Sequence, residues 1–281
     1  MGNLQVLKSR IASIEKTAAI TNAMYKIASS KLVAAQNAFK QYNIFKTAFD
    51  NVLSEALNAK SKNLYAETKK RSMRKLFIII SADRGLVGGY HQQLFKSFLA
   101  HIETFDKNDI FVVTIGRRAY SFAKKEKLNI VNEEIILNND DIDESILNKY
   151  MGSMMQLYLE NQYGEISVFS NRFINSMSQV PKNEVLLPMK TTKVNKKAYD
   201  TYMYEGSKTD TINDLIMIYV QSRLYGLLVD AKLSEYASRI IAMKNATDNA
   251  KDALDRLNLK YHQARQQKIT GELLDISNAK L

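Results

Sequence analysis

Residues 75–89 read Lys75-Leu-Phe-Ile-Ile-Ile-Ser81-Ala-Asp83-Arg84-Gly85-Leu-Val87-Gly88-Gly89, a short apolar run that ends in a glycine-rich turn. A continuous apolar run of this length bounded by turn residues is the pattern of a buried strand. Similar runs recur at Ile110-Phe-Val-Val-Thr-Ile115, Leu128-Asn-Ile-Val131 and Ile166-Ser-Val-Phe169. Helical patterns at Tyr90–Phe105, Arg117–Lys127 and Asp143–Glu160 link them. Strand and helix alternating at this spacing predict a parallel, Rossmann-like wound α/β sheet. No internal repeat or low-complexity tract interrupts it.

The turn itself invites a chemical reading, because free backbone amides between a strand and a helix can cradle a phosphate. Its residues match neither GxGxxG nor GxxxxGK[S/T], no lysine closes it, and no Ser or Thr stands ready for magnesium. A tight turn that docks another protein is the reading preferred here.

On either side of this region the punctuation changes. Proline occurs only at Pro181 and Pro188, so both flanks can hold long helices. From the candidate cap Asn3, residues Leu4, Leu7, Ile11, Ile14, Ala18, Ala28, Leu32, Ala35, Phe39, Tyr42, Phe49 and Leu53 alternate steps of three and four, the seam of a coiled coil. Thr21 and Lys46 are polar members of that seam, and Ile20, Met24 and Ile27 form a second stripe beside it. A helix to Asn58 would span roughly 80 Å. Behind the candidate cap Asp210, a second seam runs through Ile216, Val220, Leu224, Leu227 and Ala231 to Ala250, Leu254, Leu257, Tyr261 and Ala264. Continued to about Ile276, that helix would reach roughly 100 Å. Neither is stable alone, so the expectation is an antiparallel coiled coil of the two chain ends around the α/β region. The expected domains are residues 1–58, 75–205 and 210–278.

The chain has 281 residues, of which 46% are hydrophobic, enough for packed domains and too many for disorder. No stretch reaches the roughly 20 apolar residues of a membrane span, and Met1–Arg10 lacks a signal-peptide core. Val6 stands where myristoylation wants Ser or Thr. Without cysteine there are neither disulfides nor thiolate metal sites. The net charge is +11, and residues 1–75 hold fourteen Lys and Arg against Glu15, Asp50, Glu55 and Glu67. Such a basic segment suits nucleic acid, an acidic membrane surface or an acidic protein collar alike.

The remaining polar residues suggest no chemistry. His91, His101 and His262 are too scattered for a helical ligand pair. Asp140, Asp141, Asp143 and Glu144 lack EF-hand order and read as a helix cap with a solvated loop. No GxSxG elbow or other nucleophile context appears, so the chain reads as non-catalytic, with no bound cofactor and no metal.

Longer motifs are more specific. Ile20-Thr-Asn-Ala-Met-Tyr-Lys-Ile-Ala-Ser-Ser-Lys-Leu32 resembles the N-terminal helix of gamma subunits of F-type ATP synthases. The Asp83–Gly89 turn resembles that family's glycine-rich loop, and Asn171-Arg-Phe through Leu186-Leu-Pro188 its late α/β segment. Ala242-Met-Lys-Asn-Ala-Thr-Asp-Asn-Ala250 is similar to its most recognisable signature, and Ala264-Arg-Gln-Gln-Lys-Ile-Thr270 follows in order. The resemblance covers essentially the whole chain.

It implies a central rotor whose coiled coil stands inside a ring of three alpha and three beta subunits, with ATP, ADP and magnesium held by those partners. The α/β domain would be the foot, joined by an epsilon-like subunit and a membrane c-ring, so that proton flow is coupled to ATP synthesis or hydrolysis. By the resemblance, Arg265 and Gln266 match the catch on a beta-subunit loop, and Met24 a neighbouring bearing. Arg84, Gly85, Gly88 and Gly89 match the loop near the acidic lever of beta. Tyr202, Tyr204 and Glu205 fall in the stretch that contacts the membrane ring. The location implied is peripheral, on the cytoplasmic face of a bacterial membrane. Three departures stand out: Val87 where cysteine is common, Asp275-Ile-Ser-Asn-Ala-Lys-Leu281 in place of a small-residue tail, and no plant-type cysteine insertion. The altered tail supports an alternative, a gamma-like shaft driving a different mechanical load. A basic coiled coil binding nucleic acid has charge alone in its favour, and nucleic acid is not an expected partner.

Overall fold

Residues 76–80 are all buried, and the sheet is built around them. The computed structural model describes residues 2–58, 65, 72–132, 134–138, 144–189 and 207–278. Its elements are α1 (Gly2–Asn58), β1 (Lys75–Ile80), α2 (Tyr90–Ile102), β2 (Ile110–Ile115), α3 (Arg117–Lys125), β3 (Asn129–Ile130), α4 (Glu144–Leu159), β4 (Glu165–Asn175), β5 (Ser178–Leu187) and α5 (Lys208–Asn278). The strand order is β3-β2-β1-β4-β5, with β1 parallel to both β2 and β4 and β3 parallel to β2. The wound sheet expected from residues 75–169 is therefore present.

β5 departs from that expectation by running antiparallel to β4. Pro181, which has no N–H to give to a ladder, is tolerated because β5 is an edge strand. The connecting turn is fixed by Asn175, whose Oδ1 accepts from the amides of Met177 at 2.9 Å and Ser178 at 2.8 Å.

Side chains alternate across β1, so its continuous apolar run feeds two cores. Leu76, Ile78 and Ile80 pack with Met151, Met155 and Tyr158 of α4 and with Ile216, Val220 and Leu224 of α5. Phe77 and Ile79 face Leu94, Phe98 and Ile102 of α2 and Ala119 and Ala123 of α3. Phe77 meets Phe98 edge-on at 5.5 Å, and Phe95 stacks on Phe122 at 4.2 Å. Each large side chain buried this completely contributes about 1.5–3 kcal/mol.

The chain divides into two compact units, Met1–Ser30 with Arg239–Leu281, and Lys31–Ser238. In both, the α1 seam matches its sequence pattern. Leu4, Leu7, Ile11, Ile14 and Ala18 are partly covered and Ala28 is buried, as are Tyr42 and Leu53 of the larger unit, while their neighbours between the steps are mostly exposed. Within that larger unit Tyr42 packs against Tyr225 and Phe49 stacks on Tyr219, so α1 and α5 run antiparallel there.

The helix starts differ from expectation. α1 begins at Gly2, which puts Asn3 inside the helix, and α5 begins at Lys208. The cap of α5 is Ser207, whose hydroxyl accepts from the amide of Asp210 at 3.4 Å. Ser207-Lys-Thr-Asp210 has the spacing of a capping box, a local signal that the apolar seam overshadowed. Asp140, Asp141 and Asp143 lie outside the described residues, and Glu144 is the first residue of α4.

Candidate functional site

In the smaller unit, α1 and α5 meet through Thr21, Ala28, Met243, Thr247 and Ala250, all buried. Met24 is half-buried beside this seam, whereas Ile20 and Ile27 of the same stripe remain 60% and 58% exposed. The pairing of the two helices therefore consumes the seam and leaves the second stripe bare. Arg265 and Gln266 are also exposed, about 27 Å further along α5 than Thr247 at 1.5 Å per residue. Met24 lies one turn from Thr21, so these residues form two separate surfaces rather than one site.

The glycine-rich loop belongs to the larger unit. Arg84 is exposed, and its carbonyl meets Nε2 of His91 at 3.2 Å. Gly85 is half-buried, and Gly88 and Gly89 are exposed. Leu86 and Gly88 both adopt positive φ, 62° and 57°, which presents the Leu86 side chain to solvent. Below them Val87 is buried with Ala82 and Tyr90.

The root of the loop is fastened to the start of α3. Asp83 Oδ1 accepts from the amide of Arg117 at 2.9 Å, and Ser81 Oγ from that of Ala119 at 2.7 Å. These are amides that a phosphate at this helix start would need, and the chain's own side chains already occupy them.

In a wound sheet, ligands enter beyond the strand ends where the order reverses, here between β1 and β4. That crevice is filled from within. Asn171, two residues beyond the last β1–β4 rung at Ile79–Phe169, donates to the carbonyl of Tyr90 at 3.1 Å. The Tyr90 hydroxyl donates to the carbonyl of Ala231 at 3.2 Å, and Ser234 Oγ to that of Asn171 at 3.2 Å. α5 thus seats itself where a nucleotide would sit, which gives a structural reason for reading the loop as a docking turn.

A second polar assembly was not anticipated from sequence. Arg172 of β4 pairs with Asp230 at 3.0 Å and with Glu184 of β5, and Glu184 also pairs with Arg223 of α5. Arg223 donates on to the Tyr42 hydroxyl at 3.3 Å. Burial lifts the Asp230 carboxyl above the usual carboxylate range, against the Phe173 amide and Arg172, which pull it down. Burial likewise raises the Tyr42 phenol, opposed by Arg223. The available signal was Asp230 itself, a charge that directly follows the apolar run 227–229.

Among the described residues no group of His, Asp or Glu could hold a metal ion, and no helix is long and apolar enough to cross a membrane. Tyr202, Tyr204 and Glu205 lie outside the described residues.

The larger unit is thus a wound sheet whose ligand crevice is filled by its own helix, and the smaller unit is a helix pair that leaves Ile20 and Ile27 exposed. A family model described as ATP synthase matches residues 3–279. ATP synthase gamma chains from two strains of Clostridium kluyveri are each 33% identical over 275 residues, 97% of this chain and 95% of theirs. The fold resembles a chain of the Euglena gracilis mitochondrial ATP synthase rotor in rotational state 1, with TM-score 0.64, 16% identity and coverage of 95% and 99%. A chain of the OSCP/F1/c-ring assembly of the same enzyme, in rotational state 3, gives TM-score 0.66 at 15% identity, covering 99% and 93%. The central stalk and c-ring structure of the Tetrahymena thermophila enzyme gives 0.61 at 20%, covering 81% and 99%. This chain belongs to the ATP synthase gamma-chain family. Its curated relatives are gamma chains, and the solved structures whose fold it shares are of a rotor and a central stalk.

Proposed function

We propose that this chain couples proton flow to ATP synthesis and hydrolysis by turning inside three alpha and three beta subunits. ATP, ADP and magnesium are held by those partners. An epsilon-like subunit and the membrane c-ring grip the α/β domain, which places the chain peripherally on the cytoplasmic face of the membrane. Met24, Arg265 and Gln266 contact the head from the paired helices. Arg84, Gly85, Gly88 and Gly89 do so from the loop, and Tyr202, Tyr204 and Glu205 contact the ring.

The observation that carries this reading is the bare apolar surface of the helix pair. Ile20 and Ile27 on α1, and Leu259, Ile269, Leu273 and Leu274 on α5, are exposed in the chain alone. A sleeve of partner subunits supplies the cover. Coupling needs only that the rotor bind the open, loose and tight states of beta with different free energies. Inverting a two-state population from 1:99 to 99:1 takes about 5.5 kcal/mol, within reach of a few desolvated contacts.

The test is to purify the chain from its own cell, identify stoichiometric partners and assay ATP hydrolysis and ATP-driven proton uptake. Alpha, beta and a c-ring with coupled uptake are expected. Alpha and beta without a c-ring would instead mean a gamma-like shaft with another load, and neither subunit would sink the proposal.

A further inference from the structure

We propose that Asp230, Arg172, Glu184, Arg223 and Tyr42 form a torsional clamp that sets the rotation of α5 about its own axis against the β4–β5 hairpin. This inference rests on the rotor reading. The network is continuous and changes element at almost every step. Asp230 of α5 takes Arg172 of β4 at 3.0 Å and the Phe173 amide at 3.0 Å. Arg172 and Arg223 each engage a different oxygen of Glu184, Oε2 and Oε1. Arg223 reaches Tyr42 of α1 at 3.3 Å.

Two features separate this arrangement from ordinary surface ion pairs. The first is spacing. Arg223 and Asp230 stand about two turns apart on α5, so both address the same side of the helix. Held at two heights by one hairpin, the helix resists both rolling and sliding. The second is directionality. Apolar packing between α5 and the sheet is non-directional and opposes a small rotation weakly. Charge-assisted hydrogen bonds from forked guanidinium groups lose energy as soon as their geometry shears. Asp230 is 2% exposed and the side chains of Arg223 and Glu184 are 14% and 20% exposed, so water cannot readily substitute for these partners.

A rotor that carries torque between α5 and the α/β domain needs this stiffness, whereas stability alone does not. Replacing buried ionic groups with apolar ones of similar volume commonly preserves or raises stability. The largely apolar variant R172M/E184L/R223M/D230N therefore removes every charge-assisted bond of the network while keeping packing, and leaves at position 230 only an acceptor for the Phe173 amide.

The experiment uses the assembled alpha–beta complex with this chain as its rotor, fixed to a surface. The chain has no native cysteine, and Met177 at the hairpin tip is 87% exposed, so M177C carries a bead on the α/β domain. During each catalytic dwell the angular variance of the bead is inversely proportional to torsional stiffness. Relative to M177C alone, the apolar variant is expected to increase that variance about twofold or more with unloaded ATP hydrolysis unchanged. E184Q, which leaves two guanidinium groups facing one another, is expected to do the same, and E184D to restore part of the stiffness. A variance equal to that of M177C in a variant that assembles and hydrolyses ATP normally overturns the clamp. Should the apolar variant fail to assemble, E184Q and E184D decide by the same measure. If the M177C complex hydrolyses ATP without rotating the bead, the rotor reading fails first and the clamp falls with it.

Discussion

The hydroxyls of Thr21 and Thr247 lie 2.7 Å apart inside a seam lined by Ala28, Met243 and Ala250. A buried polar pair between two helices fixes their register, because any slip leaves both groups without each other. Each threonine also reaches a carbonyl of its own helix, Ala18 at 3.1 Å and Met243 at 2.8 Å. T21V or T247V alone should therefore cost about 0.5–1.5 kcal/mol rather than a full desolvation penalty. The double variant T21V/T247V should lie closer to wild type than the sum of the two, which a double-mutant cycle of urea midpoints measures. Strict additivity would show that the two hydroxyls do not interact.

Gly226 sits beneath the ring of Tyr42: a Cβ there would fall 1.9 Å from the ring Cζ. G226A should destabilise the chain by about 1–3 kcal/mol, although alanine is the better helix former by about 1 kcal/mol. In a Y42A background the clash is gone, and G226A should become neutral or favourable. The same cost in both backgrounds would mean the ring is not the obstacle.

Two further glycines provide a matched contrast. Gly116 has φ 95° and would place a Cβ 2.3 Å from the carbonyl oxygen of Ser81, which is backbone and cannot swing away. G116A should cost about 3 kcal/mol or more and disturb the loop root that Ser81 anchors. Gly152 of α4 has nothing within 4 Å of its would-be Cβ, so G152A should stabilise by about 1 kcal/mol. Thermal unfolding of the two variants should shift in opposite directions.

Asp230 gives a pH prediction. Burial raises its folded-state pKa above the ordinary carboxylate value of the unfolded chain, so between those two values the folded chain binds more proton than the unfolded one. Its contribution to stability is fully present below the unfolded value and falls as pH rises through the folded value. D230N does not titrate. The stability difference between D230N and wild type should move in favour of D230N as pH climbs from about 3.5 to 7, whatever its starting sign. Movement in favour of wild type would mean that Arg172 dominates and the carboxyl is depressed.

The bare stripe on α1 separates folding from assembly. I20D/I27D changes two exposed positions and should alter the stability of the isolated chain by about 0.5 kcal/mol or less. Under the proposed function it should abolish stable association with the alpha–beta head in co-purification. Unimpaired association would place the head contacts elsewhere.

The sequence was most legible where a single period governs many residues. The seam from Leu4 to Leu53 is partly or wholly covered and the apolar runs of β1 and β2 are almost entirely buried, as their spacing requires, because burial on a helix or strand repeats with the geometry of that element. β5 was not read. It carries Gln179, Lys182 and Glu184, leaves Val180 and Val185 exposed and contains Pro181, so its identity depends on edge pairing with β4 rather than on its own composition. The start of α5 was misplaced by three residues because Asp210 and Ser207 are both good caps and only the backbone geometry chooses. The ionic network was illegible for a related reason. Glu184 and Arg223 are brought together by topology, and no local spacing announces such a pair. Arg84 and the loop glycines stood out by composition, but the seating of α5 behind them followed only from the hydrogen bonds of Tyr90, Asn171 and Ser234.

That seating has a consequence for how the α/β domain exists at all. A sheet of this type ordinarily has two forms, empty and loaded, and its mouth breathes as the guest comes and goes. Here the guest is residues 231–234 of the same polypeptide, tethered to the sheet so that dilution cannot remove it. Emptying the mouth would require part of α5 to leave the sheet, so the place where other wound sheets exchange a guest serves here as a fixed joint.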